Sequence, residues 1–238
     1  MNYYKIFIRL LYMNHLTIYT SLVLSIIIQV ITGIIEVISL LIKVPRQFIF
    51  LQQMLLLEVL VQFIEGSFYI YWLYNFNNIL NITPKRYFDW VFTTPTMLVN
   101  LIFYLIYLQY KENNNSDKLQ FFELFNQEFY TIIIVLLLNW LMLFFGYLGE
   151  INVIPVLLGV SLGFIPFLIY YYIIYSKYAV LSNSGFQIFL YFLFFWSLYG
   201  VVAILPYKIK NTCYNILDLF SKNFFGIFLT YILFINKY

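Results

Sequence analysis

Apolar residues gather into long runs along this chain. Short polar clusters separate them, at Lys43–Gln47, Asn75–Lys85, Tyr110–Gln120, Gly149–Glu150, Ser176–Gly185 and Tyr207–Asn211. About 20 predominantly apolar residues are enough to cross a bilayer as a helix. The runs therefore predict seven spanning helices, at about 16–42, 48–74, 86–108, 125–147, 152–175, 186–206 and 212–235. The fourth starts in a stretch, Phe121–Phe129, that mixes aromatics with Glu123 and Glu128. Lys111–Lys118 is polar throughout and reads as a solvated loop. Seven crossings put the two ends on opposite faces. With short linkers and no internal repeat, residues 1–238 read as one seven-helix domain.

Composition agrees with that pattern. The chain is 63% hydrophobic and 10% charged, with mean hydropathy +0.87, whereas soluble domains are typically about 45–50% apolar and about 25% charged. The expected class is an all-α membrane protein, a seven-transmembrane helix bundle. Many Tyr and Trp fall near the ends of the runs, as in Tyr170-Tyr171-Tyr172, where amphipathic rings favour the headgroup region. Charge does not orient the bundle. Lys43, Arg46, Lys111, Lys118, Lys177 and Lys237 face six on the other side: Lys5, Arg9, Lys85, Arg86, Lys208 and Lys210. Lys5 and Arg9 precede no cleavable signal pattern, so the first span is expected to serve as its own targeting signal. Cys213 stands alone, which excludes an intramolecular disulfide and makes it a small filler at a helix start. No His/Cys/carboxylate cluster has metal-ligand spacing. His15 reads as a membrane-interface residue, and Glu36 either as solvated near the end of the first span or as a pathway residue.

The chemistry concentrates on Lys222. It lies inside an apolar run, one helical turn after Asp218, and an ionised lysine near a membrane midplane costs several kcal/mol. Asp218 at i−4 shares its face and supplies a counter-charge. Alone, the two could be an ion pair that pins helix packing. Arg86, Asp89, Trp90, Trp196 and Tyr199 widen the choice. Trp196 and Tyr199, three apart, face one way and could clamp an elongated apolar ligand against Trp90. A lysine amine in an apolar pocket is also the usual nucleophile toward an aldehyde.

Arg86-Tyr87-Phe88-Asp89-Trp90, followed by Thr93-Thr94-Pro95, resembles the third helix of the microbial rhodopsins. Asp218-Leu219-Phe220-Ser221-Lys222, followed by Phe225-Gly226, matches their retinal-lysine helix. Trp196-Ser197-Leu198-Tyr199 resembles their pocket helix, with Gly200 where many members have proline, and Gly146–Glu150 is similar to a turn in some proton-pumping members. The resemblance implies all-trans retinal on Lys222 as a protonated Schiff base. Asp89 and Asp218 would be its counterions, and Asp89 its primary proton acceptor. Arg86 would organise charge and water beside them, and Thr93 would bond near Asp89. Trp90, Thr94, Met97, Trp196 and Tyr199 would contact the chromophore. It implies a photoreceptor or transporter rather than an enzyme.

Two departures bear on transport. Outward pumps of the family carry a carboxylic proton donor eleven residues after the acceptor, and here that position is Asn100. Glu58 and Glu65, seven apart, share one face of the second span about 10 Å from each other. They read as two acids hydrogen-bonded between helices, or as a polar file along a cation pathway. Ser25, Glu58, Glu65, Asp89, Asp218 and Asn223 together resemble the first group of giant-virus rhodopsins, which are similar to channelrhodopsins and pass cations under light. The expected function is a light-gated cation channel along the first, second, third and seventh helices. The alternatives are an outward proton pump and, with less support, a sensory photoreceptor. The expected partners are a lipid bilayer, of a host cell if the source is viral, and small cations or protons. No nucleic acid is expected, and the apolar outer faces leave a homo-oligomer open.

Overall fold

The computed structural model describes residues 2–76 and 81–237, with side chains from residue 16 onward. Lys5, Arg9 and His15 thus have side chains outside the described residues, and the second polar break overlaps the undescribed 77–80. Among the described residues the chain is all-helical. The helices are α1 (Asn2–Ser39), α2 (Arg46–Tyr74), α3 (Thr83–Glu112), a short α4 (Phe121–Gln127), α5 (Phe129–Glu150), α6 (Val156–Lys177), α7 (Asn183–Ala203), α8 (Tyr207–Asp218) and α9 (Phe224–Ile235). A π-helical turn, Leu219–Asn223, joins α8 to α9, so the two form one seventh crossing, Tyr207–Ile235. Among the described residues, seven helices are long and apolar enough to span a membrane.

The helices close into a ring in chain order, with α1 returning to α8 and α9. α3 is the axis: 78% of its most apolar 18-residue window is buried, and it is buried on every side from Met97 to Tyr107. The other spans bury one stripe and turn Leu24, Phe63, Leu137, Ile165 and similar side chains outward, as lipid solvates them. Small residues set the tightest approach. A Cβ on Gly159 of α6 would lie 2.7 Å from the Phe145 carbonyl oxygen and 3.2 Å from Gly149 Cα on α5.

Proline explains one cross-helix bond. Pro95 inside α3 cannot donate to the Val91 carbonyl one turn back. The Trp140 indole of α5 donates to that oxygen instead, at 3.1 Å. Asn114 and Asn152 take the left-handed conformation that turns need, with φ of 55° and 60°.

Several helix ends depart from the sequence reading. α1 stops at Ser39 rather than 42, and Pro45 then fixes the entry to α2. α3 begins at Thr83, with Pro84 in its first turn where no backbone donor is needed. The fourth crossing starts at Phe129, because Phe121–Gln127 forms a separate turn of helix. The fifth starts at Val156 and the sixth at Asn183, capped by Ser182 Oγ accepting from Gly185 N at 2.8 Å. The seventh starts at Tyr207, inside the stretch read as a break. That stretch is polar because Lys210 pairs with Glu150 at 2.9 Å and Asn211 binds Thr83 and Arg86 inside the bundle. The tyrosine triplet is also corrected: Tyr170 and Tyr171 are buried against Phe167, and only Tyr172 faces outward.

Candidate functional site

Lys222 sits within the π-helical turn, the kind of irregularity often found at functional sites. It is fully enclosed and held by three carboxylates. Its Nζ donates to Asp89 Oδ2 on α3 at 2.7 Å and lies 3.5 Å from Glu65 Oε1 on α2 and 3.7 Å from Asp218 Oδ1. One oxygen from each carboxylate falls within 4.8 Å of the other two. Glu65, expected along a pathway with Glu58, is thus also a neighbour of the lysine. Its Oε1 accepts from Gln29 Nε2 of α1 at 3.1 Å.

A second cation closes the cluster. Arg86 Nη1 lies 3.4 Å from Asp218 Oδ2, and the guanidinium also reaches Tyr69 OH, Asn211 and Asn215. It rests over the rings of Trp72, Tyr69 and Tyr214, at 5.0, 5.6 and 5.6 Å. Tyr69 donates to Asp218 Oδ2, and Tyr199 to Asp218 Oδ1 at 2.7 Å. With every group ionised, three carboxylates would face two cations in a dry interior. Thr93 bonds the Asp89 main-chain carbonyl at 3.1 Å.

From Lys222 an apolar cavity runs between α3, α5, α6 and α7, with about 750 Å³ of atom-free space, part of it open to the surroundings. Trp90, Thr94, Met97, Trp196 and Tyr199 all line it. Trp90 meets Tyr199 and Tyr214 edge to face, at 5.5 and 5.1 Å. Glycines keep it open: a Cβ on Gly200 would fall 2.6 Å from the Phe164 ring. Thr94 is fixed by donating to the Trp90 carbonyl at 2.7 Å and accepting from Asn139 at 2.8 Å. A long apolar slot ending at a lysine amine suits an apolar aldehyde.

The other side of Lys222 carries polar groups packed between α1, α2, α3 and the seventh crossing. Ser25 Oγ donates to the Asn215 carbonyl at 3.1 Å and accepts from Gln29 at 3.4 Å. Asn223 donates to Thr32 at 2.6 Å and to Gln62 at 3.2 Å, and Gln62 reaches Glu36 at 3.5 Å. Glu58 accepts from Asn100 at 2.6 Å. Glu36 is therefore buried against α2 and α9, not solvated, because its helix face turns inward at that height. Ser25 and Glu65 thus meet through Gln29, Asn223 and Glu36 through Gln62, and Glu58 is bonded to Asn100. Sequence reasoning missed Tyr69, Asn211, Asn215, Gln29, Gln62 and Asn139. Tyr69 carried no signal among 24 tyrosines, but the amides did, since Gln29, Gln62 and Asn139 interrupt apolar runs.

A family model for bacteriorhodopsin-like proteins matches residues 17–236. Among solved structures, the viral rhodopsin OLPVRII is 30% identical, covers 90% of this chain and 96% of its own, and superposes with a TM-score of 0.74. Xanthorhodopsin, described as a light-driven ion pump with dual chromophore, is 18% identical over 92% and 93%, with a TM-score of 0.71. The rhodopsin of Exiguobacterium sibiricum is 16% identical over 92% and 96%, with a TM-score of 0.70. At such identities the last two show the fold alone. No curated protein matches in a sequence search. With its apolar slot ending at the enclosed Lys222, the chain fits the chromophore of this family. It belongs to the bacteriorhodopsin-like proteins, the microbial rhodopsins, which bind retinal, and it is an integral, multi-pass membrane protein.

Proposed function

We propose that this rhodopsin is a light-gated cation channel whose pathway runs between the first, second, third and seventh crossings. One observation carries the reading. Buried polar side chains line that seam in three bonded groups: Asn215, Ser25, Gln29 and Glu65; Asn223, Gln62 and Glu36; and Glu58 with Asn100. A membrane protein that only needed to fold would fill this seam with apolar side chains, and intramembrane carboxylates mark ion routes. The likeness of Ser25, Glu58, Glu65, Asp89, Asp218 and Asn223 to the first group of giant-virus rhodopsins supports the same reading.

Lys222 would hold retinal in the slot lined by Trp90, Thr94, Met97, Trp196 and Tyr199. When bound, retinal supplies light absorption and an isomerisation that re-aims the N–H at Lys222 Nζ. Asp89 then has the shortest approach to that proton, and accepting it removes the central ion pair. Asp218 stays held by Arg86, Tyr69 and Tyr199. Glu65 and Gln29 lose the cation they were organised around, and water can enter along them. Ions follow their gradient until the proton returns.

Proton pumping is the competing reading, favoured by the Asp89–Lys222 contact of 2.7 Å. Proteoliposomes separate the two. With no imposed gradient, light should move no net charge, and with a potassium gradient light alone should dissipate it. Steady light-driven acidification or alkalinisation without a gradient would instead mean a pump. Light-driven transport by either route suits the family better than an enzymatic role.

A further inference from the structure

Around Gly226, one turn beyond Lys222, polar side chains from three crossings meet. Gln62 of α2 is their centre. Its Nε2 donates to Glu36 Oε1 of α1 at 3.5 Å, and its Oε1 accepts from Asn223 Nδ2 at 3.2 Å. Asn223 Nδ2 also donates to Thr32 Oγ1 of α1 at 2.6 Å. Those two bonds use both amide hydrogens of Asn223 and leave Oδ1 as its free oxygen. Glu36 is fully enclosed and Asn223 is 3% exposed. The Glu36 carboxylate lies against Gly226, where a Cβ would overlap it, so only glycine admits the acid there.

The cluster has oxygens to spare and no counter-charge. Among the described residues, no donor reaches Glu36 Oε2 or Asn223 Oδ1, and both atoms are buried. No lysine or arginine nitrogen lies within 4 Å of Glu36 among those residues, whereas Asp89, Asp218 and Glu65 share Lys222. Carboxylate and amide oxygens are ligands that hard cations take. One carboxylate balances one positive charge, and a divalent ion would leave a surplus charge in a dry interior. There is also slack. Gln62 lines a cleft between α1 and α2 with about 950 Å³ of atom-free space, part of it open to the surroundings. Gly33, next to Thr32, and Gly66, one turn after Gln62, border it, and a Cβ on either would meet nothing within 4 Å. The backbone beside both side chains therefore has room to close around an ion.

We propose that Glu36, Gln62, Asn223 and Thr32 form a binding site for a small monovalent cation in the dark protein. Glu36 supplies the charge, and Asn223 Oδ1, Gln62 Oε1 and Thr32 Oγ1 take the place of water around the ion. Gly226 lets the carboxylate sit close enough to join them. The inference goes beyond the channel reading, because the site binds its ion before illumination and whether or not a current follows.

Infrared difference spectra of the full chain with retinal, kept in the dark, test it. Sodium chloride is compared with N-methylglucamine chloride at constant pH and ionic strength. Sodium should shift a carboxylate stretching band in a saturable way. The shift should be lost in Glu36→Gln, and calcium chloride should not reproduce it. Gly226→Ala keeps every ligand but displaces the acid, and should weaken sodium binding by about tenfold or more. Thermal bleaching of the pigment gives a second readout, which sodium should slow in the wild type but not in Glu36→Gln. A sodium shift that survives Glu36→Gln would overturn the site. So would a protonated carboxylic band, lost in Glu36→Gln, that does not respond to sodium, since Glu36 would then be a neutral acid. Sodium binding without photocurrent would remove the channel and leave the site standing, and photocurrent without sodium binding would do the opposite.

Discussion

At the scale of single residues, charge in an apolar run is the legible signal. Lys222, Asp218 and Asp89 could be picked from the sequence because each is too costly in a spanning helix to be there by default. That Glu65 also reaches the lysine could not be read, since it depends on how α2 crosses the seventh span. Its position has a spectral consequence. Removing a negative charge 3.5 Å from Lys222 Nζ should move the absorption maximum to longer wavelength, because the counter-charge stabilises the ground state of a protonated chromophore. Glu65→Gln should therefore shift the visible band, and an unchanged band would remove Glu65 from the charge cluster. Lys222→Ala should abolish visible absorption with retinal supplied. A coloured protein would mean that retinal is held elsewhere.

At the scale of elements, hydrophobic runs predicted the seven crossings, but their ends were set by chemistry that runs do not display. The seventh begins at Tyr207 because Lys210 and Asn211 find partners inside the bundle, and no local pattern announces such partners. The π-helical turn at Leu219–Asn223 was equally hidden, since one extra residue per turn leaves no mark on composition. The contact between α5 and α6 rests on Gly149 and Gly159, so Gly159→Leu should force the helices apart. A cost of about 1–3 kcal/mol is expected from overpacking, read as faster thermal bleaching of the pigment. Trp140→Phe should be milder. It leaves the Val91 carbonyl without a donor, worth about 1 kcal/mol, and the same bleaching assay should separate it clearly from the glycine variant.

At the scale of the whole molecule, the seam and the slot divide the labour. The slot beside α5, α6 and α7 is apolar and suits a chromophore, while the seam beside α1 and α2 is polar and buried. Lys222 lies where they meet, so a proton lost from its Nζ changes the charge at the centre of the seam. Glu58→Gln and Glu65→Gln should both alter current size or cation preference while a pigment still forms; currents like those of wild type in both would move the pathway elsewhere. The most direct test is voltage clamp of cells expressing the full chain with retinal, flashing light while the holding potential is stepped. A channel gives photocurrents that reverse sign with voltage, at a potential that shifts when external cations are exchanged. Current that stays outward at every voltage would contradict the channel and assign the polar seam to proton pumping.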